Sequence, residues 1–230
     1  MKANFLKKSL TVVLSSSLAA CTVSSLPALS NSTGAFIESN GVVVVEMEST
    51  NYSGSWKLVH GGNAIEWMGN DEFNKPGKGV IDIKVKITNP GIYQFDWANK
   101  IGEGSSTTEA NDSWLKIESD KFYGDNGITI VCPKGMDTAK NTCIGELPEG
   151  AGQLGWFKAY RSGGEVSEFI WSTNTSDNDP HKIYAQFNHP GIYTVQISGR
   201  SKHHIIDRFI MTKDAVMHEL VKHQDESVRE

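Results

Sequence analysis

The sequence has no apolar run long enough to cross a bilayer as a helix, no excess of positive charge and very little cysteine. Its longest apolar stretch near the start, residues 9–20, has 12 residues, and a spanning helix needs about 20. Lys and Arg number 22 against 27 Asp and Glu, a formal charge of −5, which argues against nucleic acid as a main partner. Three cysteines in 230 residues are too few for a disulfide-built scaffold. Catalytic signatures are also missing. There is no Gly-x-Ser-x-Gly elbow, no His-Glu-x-x-His pair and no phosphate-binding glycine loop. Between residues 35 and 212 no stretch holds a helical period for three turns, which excludes a helical bundle.

What is present begins with a segment of export type. Lys2, Lys7 and Lys8 precede the short apolar stretch, and Leu18-Ala19-Ala20-Cys21 follows. A charged start, a brief apolar centre and small residues at its end read as a removable signal over residues 1–20. The last four residues resemble the lipobox of bacterial lipoproteins. That resemblance implies a lipid on the Cys21 thiol, cleavage before it and acylation of the new amino terminus, enough chains for lasting attachment to a membrane. The alternative is an ordinary secretory signal. Residues 21–34, small and polar with one proline, read as the lipidated cysteine and a flexible tether. With Thr22 rather than Asp after the cysteine, the sorting habit of Gram-negative lipoproteins favours the outer membrane if the host is of that type. Loss of the three early lysines leaves 19 basic residues against 27 acidic, a net −8. Cys132 and Cys143, separated by ten residues, read as a local disulfide in an exported chain, with a zinc site disfavoured because no histidine lies nearby.

From Gly34 to Thr212 the pattern is all β. Short β-branched and aromatic runs alternate with Gly, Asn, Asp and Pro. Strands are expected over 42–48, 64–68, 79–88, 91–98, 113–118, 127–132, 156–160, 168–172, 182–187, 191–198 and 204–211. The run Asn89-Pro90-Gly91-Ile92-Tyr93 returns as His189-Pro190-Gly191-Ile192-Tyr193, in each case a Pro-Gly turn opening a strand. Tyr93, Phe95 and Trp97 share one face of the first strand, and Tyr193, Val195 and Ile197 one face of the second, each strand keeping one wet face. Residues 213–230, charged with Val216, Leu220 and Val221 at helical spacing, read as a short accessory helix or frayed tail.

Val43-Val44-Val45-Glu46-Met47-Glu48, the NPGIY strand, Asn111-Asp112-Ser113-Trp114-Leu115, and Ser198-Gly199-Arg200-Ser201 leading to Ile206-Asp207-Arg208-Phe209-Ile210 occur in that order. Together they resemble the jelly-roll carbohydrate-binding modules of the family 6 and family 35 type, over residues 35–212. The resemblance implies two antiparallel sheets face to face, a sugar site at the loop end, and a structural calcium held by a Glu-x-Glu in the first strand and an Asp in the last. Carried over, Glu46, Glu48 and Asp207 are the calcium ligands. Spacing places Glu46 and Glu48 on one side of a strand and Asp207 with Ile205 and Phe209. The alternative is that these acids pair with Arg208 or lysines at the sheet edge.

Sugar recognition requires an aromatic face and a few convergent polar groups. Trp67 and Trp97 fall in phase with core residues, and Trp171 leans the same way with Phe169. Trp114 falls out of phase with Leu115 and Ile117, so its ring is expected to point outward. Asn111, Asp112 and Trp114 are therefore the first candidate site, unless Asn-Asp makes a turn and Trp114 packs beneath a loop. Trp156, Tyr160 and Arg161 form a candidate second wall, with Arg161 suited to a carboxylate or sulfate, although Trp156 also suits a core. Arg200, Lys202, His203 and His204 stand where the resembled modules place a contacting asparagine. That departure favours an acidic sugar met by Arg161, Arg200 and Lys202. Asp177-Asn178-Asp179-Pro180 lacks the glycine and distal Glu of a calcium loop and reads as a turn.

The expected function is non-catalytic binding of a polysaccharide at the cell envelope, beside degradative enzymes or uptake systems. Two other readings remain: a small jelly-roll lyase or hydrolase using Tyr160, Arg161 or His204, and an envelope adhesin or scaffold.

Overall fold

A computed structural model describes residues 34–213 and 218–230. The signal segment, Cys21 and almost all of the tether lie outside the described residues. Among the described residues fourteen strands form a sandwich of two sheets, a jelly roll with a short helix after the last strand. The five-stranded sheet runs in the order β1 (Phe36–Ile37), β5 (Ile81–Ile87), β13 (Gly191–Ser198), β7 (Asp112–Ile117) and β10 (Phe157–Tyr160). The larger sheet runs β3 (Trp56–Leu58), β4 (Ile65–Trp67), β14 (His204–Lys213), β6 (Gly91–Ile101), β12 (Lys182–Phe187), β8 (Lys121–Asp125) and β9 (Ile130–Val131). Two further strands join it, β2 (Val42–Glu46) beside β14 and β11 (Ile170–Trp171) beside β6. Among the described residues the strands pair antiparallel with one another except β1 with β5.

Alternation builds the core. Ile81, Ile83, Val85 and Ile87 of β5 point inward, as do Tyr93, Phe95 and Trp97 of β6 and Val195 and Ile197 of β13. Their polar neighbours Asp82 and Lys84 stay exposed on the other face of β5. Trp56 and Trp67 meet at 5.3 Å between ring centroids. Trp67 fits because three glycines wall it in. A Cβ on Gly199 would lie 2.1 Å from the indole, and one on Gly79 2.5 Å.

The repeated Pro-Gly-Ile-Tyr runs have a common purpose that spacing did not reveal. The Tyr93 hydroxyl donates to the Asn89 carbonyl at 2.6 Å, and the Tyr193 hydroxyl to that of His189 at 2.8 Å. Each tyrosine thus clasps the turn that precedes its own strand. Both rings then pack against Phe187, at 5.7 and 4.5 Å.

Several expected spans change. The first long strand stops at Glu46, and Met47–Ser49 forms a 3-10 turn, so Glu48 is not on a strand. The stretches 127–132 and 168–172 shrink to β9 and β11. Strands β1, β3 and β8 had not been expected; all are short or contain glycine and charge, which weakens their pattern. The far half of β6 has no wet face, because Asp96 is buried and accepts from Thr173 Oγ1 at 2.7 Å. Within residues 218–230 the tail takes the helical alternative, Val216 lying outside the described residues. Its helix α1 (His218–Val221) seats Val221 against Val42, Val44 and Ile210. Trp171, placed with the core by phase, packs instead on this outer cluster.

Cys132 and Cys143 are joined in a disulfide that ties the 133–142 loop to the end of β9. Closing a loop of this length contributes about 3 kcal/mol by the chain-entropy relation. Replacing both cysteines by serine is expected to lower stability to urea by roughly that amount while the far-ultraviolet β signature persists. An unchanged urea midpoint would show that the bridge adds nothing.

Candidate functional site

The outer face of the five-stranded sheet, at its β7–β10 edge, carries three of the expected site residues, Asp112, Trp114 and Tyr160. Antiparallel register sets Tyr160 opposite Asp112 and Lys158 opposite Trp114. Since Leu115, Phe157 and Ala159 point into the core, Asp112, Trp114, Lys158 and Tyr160 point out. Periodicity therefore gave the right face for Trp114, but that face is not open. The loop after β4 folds over it, the indole Nε1 donates to the Glu72 carbonyl at 2.9 Å, and the side chain is 0% exposed. Trp114 presents no face to a ligand. It packs beneath a loop.

On top of Trp114 lies Arg200. Its guanidinium carbon stands 5.1 Å from the Trp114 ring and 5.0 Å from that of Phe73, a cation-π arrangement with both. The same guanidinium pairs with Asp112 Oδ2. The other Asp112 oxygen, Oδ1, accepts from Ser201 Oγ at 2.5 Å, and Lys158 Nζ stands 3.9 Å from Oδ2. A buried carboxylate thus has a buried cation, a hydroxyl and a nearby ammonium, the company it needs away from water. Phe73 is the outermost ring and is 46% exposed. Around it opens a cleft of about 740 Å³ whose lining includes Asp71, Glu103, Glu109, Lys202 and His203. Lys202 is exposed, and His203 lies between Glu66 and Glu103, 2.6 Å from each.

A second cleft of about 560 Å³ adjoins the first, sharing Thr108 and Lys158. Asn111, Tyr160 and Arg161 line it. Asn111 Nδ2 donates to the Arg161 carbonyl at 3.1 Å. The Tyr160 hydroxyl donates to the Ser176 carbonyl at 2.9 Å, and burial pushes its pKa up to about 12. Arg161 differs from expectation. It is 1% exposed, and its terminal nitrogens donate to the carbonyls of Asn99, Glu168, Gly163 and Glu165 at 3.0–3.3 Å. Four carbonyls hold it in place of a carboxylate, burial lowers its pKa, and all four terminal N–H bonds are engaged with the chain itself.

His204 is a further correction. It is fully buried, contacts Ser113 Oγ through Nδ1 at 2.8 Å, and burial plus the Arg161 charge depress its pKa to about 3. It is a neutral structural imidazole, not a wall of the cleft. Trp156 also lies apart. It is buried at the opposite end of the β10 run from Tyr160 and lines neither cleft. Phe73 was missed. A lone aromatic within Asn70-Asp71-Glu72-Phe73-Asn74-Lys75-Pro76-Gly77 has no strand phase to signal it.

The acidic cluster forms by a different route than alternation suggested. The β14–β6 register slips between Ile206 and Arg208, so Asp207 is a bulge residue. Ile206 and Phe209 then both enter the core, and Asp207 does not share a face with Phe209. Carboxylate oxygens of Glu46, Glu48 and Asp207 lie within 4.8 Å of one another. Glu46 also pairs with Arg208, its neighbour across the β2–β14 ladder, so the ion pair set against a cation site coexists with the cluster. Glu48 Oε2 is buried without a hydrogen-bond partner. Burial raises all three carboxyl pKa values, that of Glu46 to about 7 despite Arg208.

No family model matches the chain, and no curated protein matches it. Solved structures do resemble it. A Podospora anserina β-(1,4)-mannanase described as GH26-CBM35 matches 78% of this chain at 10% identity and a TM-score of 0.43. The chain spans 29% of that protein's length. The C-terminal CBM6 of LamC, a marine laminarinase from Zobellia galactanivorans, matches 75% of this chain and 99% of its own at 12% identity and a TM-score of 0.32. The exoplasmic/lumenal domain of VIP36, in a form bound to Ca²⁺ and Man2, matches 83% of this chain and 96% of its own at 12% identity and a TM-score of 0.30. At such values the likenesses carry no argument about what this chain binds.

Two outcomes follow from this geometry. Trp114→Ala removes a fully buried indole and is expected to cost about 3–5 kcal/mol of folding stability, read as a fall in urea midpoint; a variant as stable as the parent would contradict the burial. For Glu46, a carboxyl raised in the folded state contributes stability that is full below its unfolded value near 4.5 and is lost as pH rises through about 7. In chelator, the melting temperature is therefore expected to fall between pH 5 and pH 8, and Glu46→Gln to flatten that slope.

Proposed function

We propose that this domain is a non-catalytic carbohydrate-binding module, held at the bacterial envelope by a lipid on Cys21, that takes a polysaccharide chain along the two adjoining clefts. The observation that carries the reading is the half-exposed Phe73 ring, backed by Arg200, in a cleft lined by acids and bases. A pyranose has an apolar C–H face and a rim of hydroxyls. An aromatic ring takes the first, and Asp71, Lys158 and Lys202 stand at the cleft for the second.

The groups a lyase or hydrolase would need are committed elsewhere. His204 is buried and neutral, the Tyr160 phenol is held on Ser176, and Arg161 grips its own loop. The charge balance supports a largely neutral saccharide over an acidic one. Of the three cations expected to meet a uronate, Arg161 and Arg200 already have partners, and Asp71, Glu103 and Glu109 share the rim with Lys202. The lipid anchor rests on the Leu18–Cys21 run, and a place beside degradative enzymes or uptake systems accords with it.

Calcium is proposed at Glu46, Glu48 and Asp207, in a structural role, since these residues line neither cleft. An all-oxygen donor set suits that ion, and the unpartnered Glu48 oxygen supports the fit.

Calorimetric titration with a panel of neutral and uronate oligosaccharides tests the function. Phe73→Ala is expected to weaken binding at least about tenfold, some 1.4 kcal/mol, with an unchanged melting temperature because the ring is half exposed. Equal affinity in the variant, tighter binding of uronates than of neutral chains, or release of new reducing ends would each count against the reading as stated.

A further inference from the structure

The C-terminal segment is tied to the acidic cluster. Residues 224–230 run along the free edge of β2 and past β1. Ser227 N donates to the Val44 carbonyl at 2.9 Å, Ile37 N to that of Val228 at 2.8 Å, and Glu230 N to that of Ala35 at 3.2 Å. Lys86 and Glu230 pair at 2.6 Å, and the Arg229 guanidinium lies 4.1 Å from the Phe36 ring centroid. Apolar anchorage is slight. Val221 is buried, whereas Leu220 and Val228 are exposed, and a cavity of about 540 Å³ lies between this strap and the β1–β2 region. Polar and ionic contacts therefore do most of the holding.

Those contacts converge on the cluster. Glu226 Oε1 accepts from the Glu46 amide at 3.0 Å and from Ser49 Oγ. Arg208, the partner of Glu46, also donates to the carbonyls of Lys222 at 3.4 Å and Gln224 at 3.0 Å. The groups facing one another here are the carboxylates of Glu46, Glu48, Asp207 and Glu226 and the guanidiniums of Arg208 and Arg229. Four carboxyl groups meet two guanidiniums, so acids outnumber bases here. Glu226 is brought to this site by the strap alone.

We infer that the strap is a cation-dependent clasp, with Glu226 an outer carboxylate of the Glu46–Glu48–Asp207 site whose repulsion from that cluster is relieved when a divalent cation binds. The inference rests on the calcium reading and adds to it a coupling to the chain end. With the cation present, the strap covers the β2 edge; without it, uncompensated carboxylates push the strap away and leave that edge open, a liability for an edge strand.

Hydrogen exchange of the full-length protein in calcium and in chelator, alongside calcium calorimetry, tests this. The amides of Ile37, Ser227 and Glu230 are expected to exchange at least about tenfold faster in chelator, while those of Ile83 and Val195 do not change. Glu226→Gln removes one repelling charge and keeps an acceptor, so it is expected to shrink that calcium-dependent difference and to weaken calcium binding roughly threefold. Calcium binding with identical exchange in both conditions, or with no effect of Glu226→Gln, overturns the clasp and leaves the calcium site standing. No calcium binding at all overturns both.

Discussion

The bulge at Asp207 places an extra residue in β14, and much of the molecule is arranged around it. Before it, Ile205 and Ile206 pair with β4; after it, Arg208–Thr212 pair with β2, while β6 runs along the other side throughout. Without the extra residue, Ile206 and Phe209 would point to opposite faces. With it, both reach the core, and Asp207 is released toward Glu46 and Glu48. One inserted residue thus joins two early segments to a single late strand and creates the acidic cluster.

The loop-end clefts depend on buried cations used as fasteners. Removing a guanidinium from water is costly unless its donors are met. Arg200 meets part of that demand with Asp112 and two aromatic rings, and Arg161 with four carbonyls, while the Nε of each is buried without a partner. Each arginine fixes chain that would otherwise be loose: the segment carrying Phe73 in one case, residues 163–168 in the other. The cleft walls are therefore held by arginines whose charged ends are engaged within the chain itself, and the half-exposed ring, Phe73, sits on a fixed support.

The same economy applies to the sheet edges. The β9 side is extended by a parallel bridge from Val131 to Glu146, close to the disulfide. The β2 side is covered by the C-terminal strap. In both places an irregular segment supplies backbone partners that a further strand would have supplied, and the exposed ladder is short.

Much of this was legible from alternation. The fold class, most strands, the inward triad of Tyr93, Phe95 and Trp97, the local disulfide and the meeting of the first long strand with the last all followed from pattern, spacing or resemblance. So did the face of the sheet to which Trp114 belongs. What alternation did not give was whether that face meets water. Trp114, Asp112, Arg161 and His204 are covered by segments distant in the chain, and Phe73 became prominent only because its loop folds over Trp114. The side to which a strand residue points is a property of its own backbone, repeated every two residues and readable in place. Whether anything lies over it depends on contacts between residues far apart in sequence, and those exist only once the chain has folded.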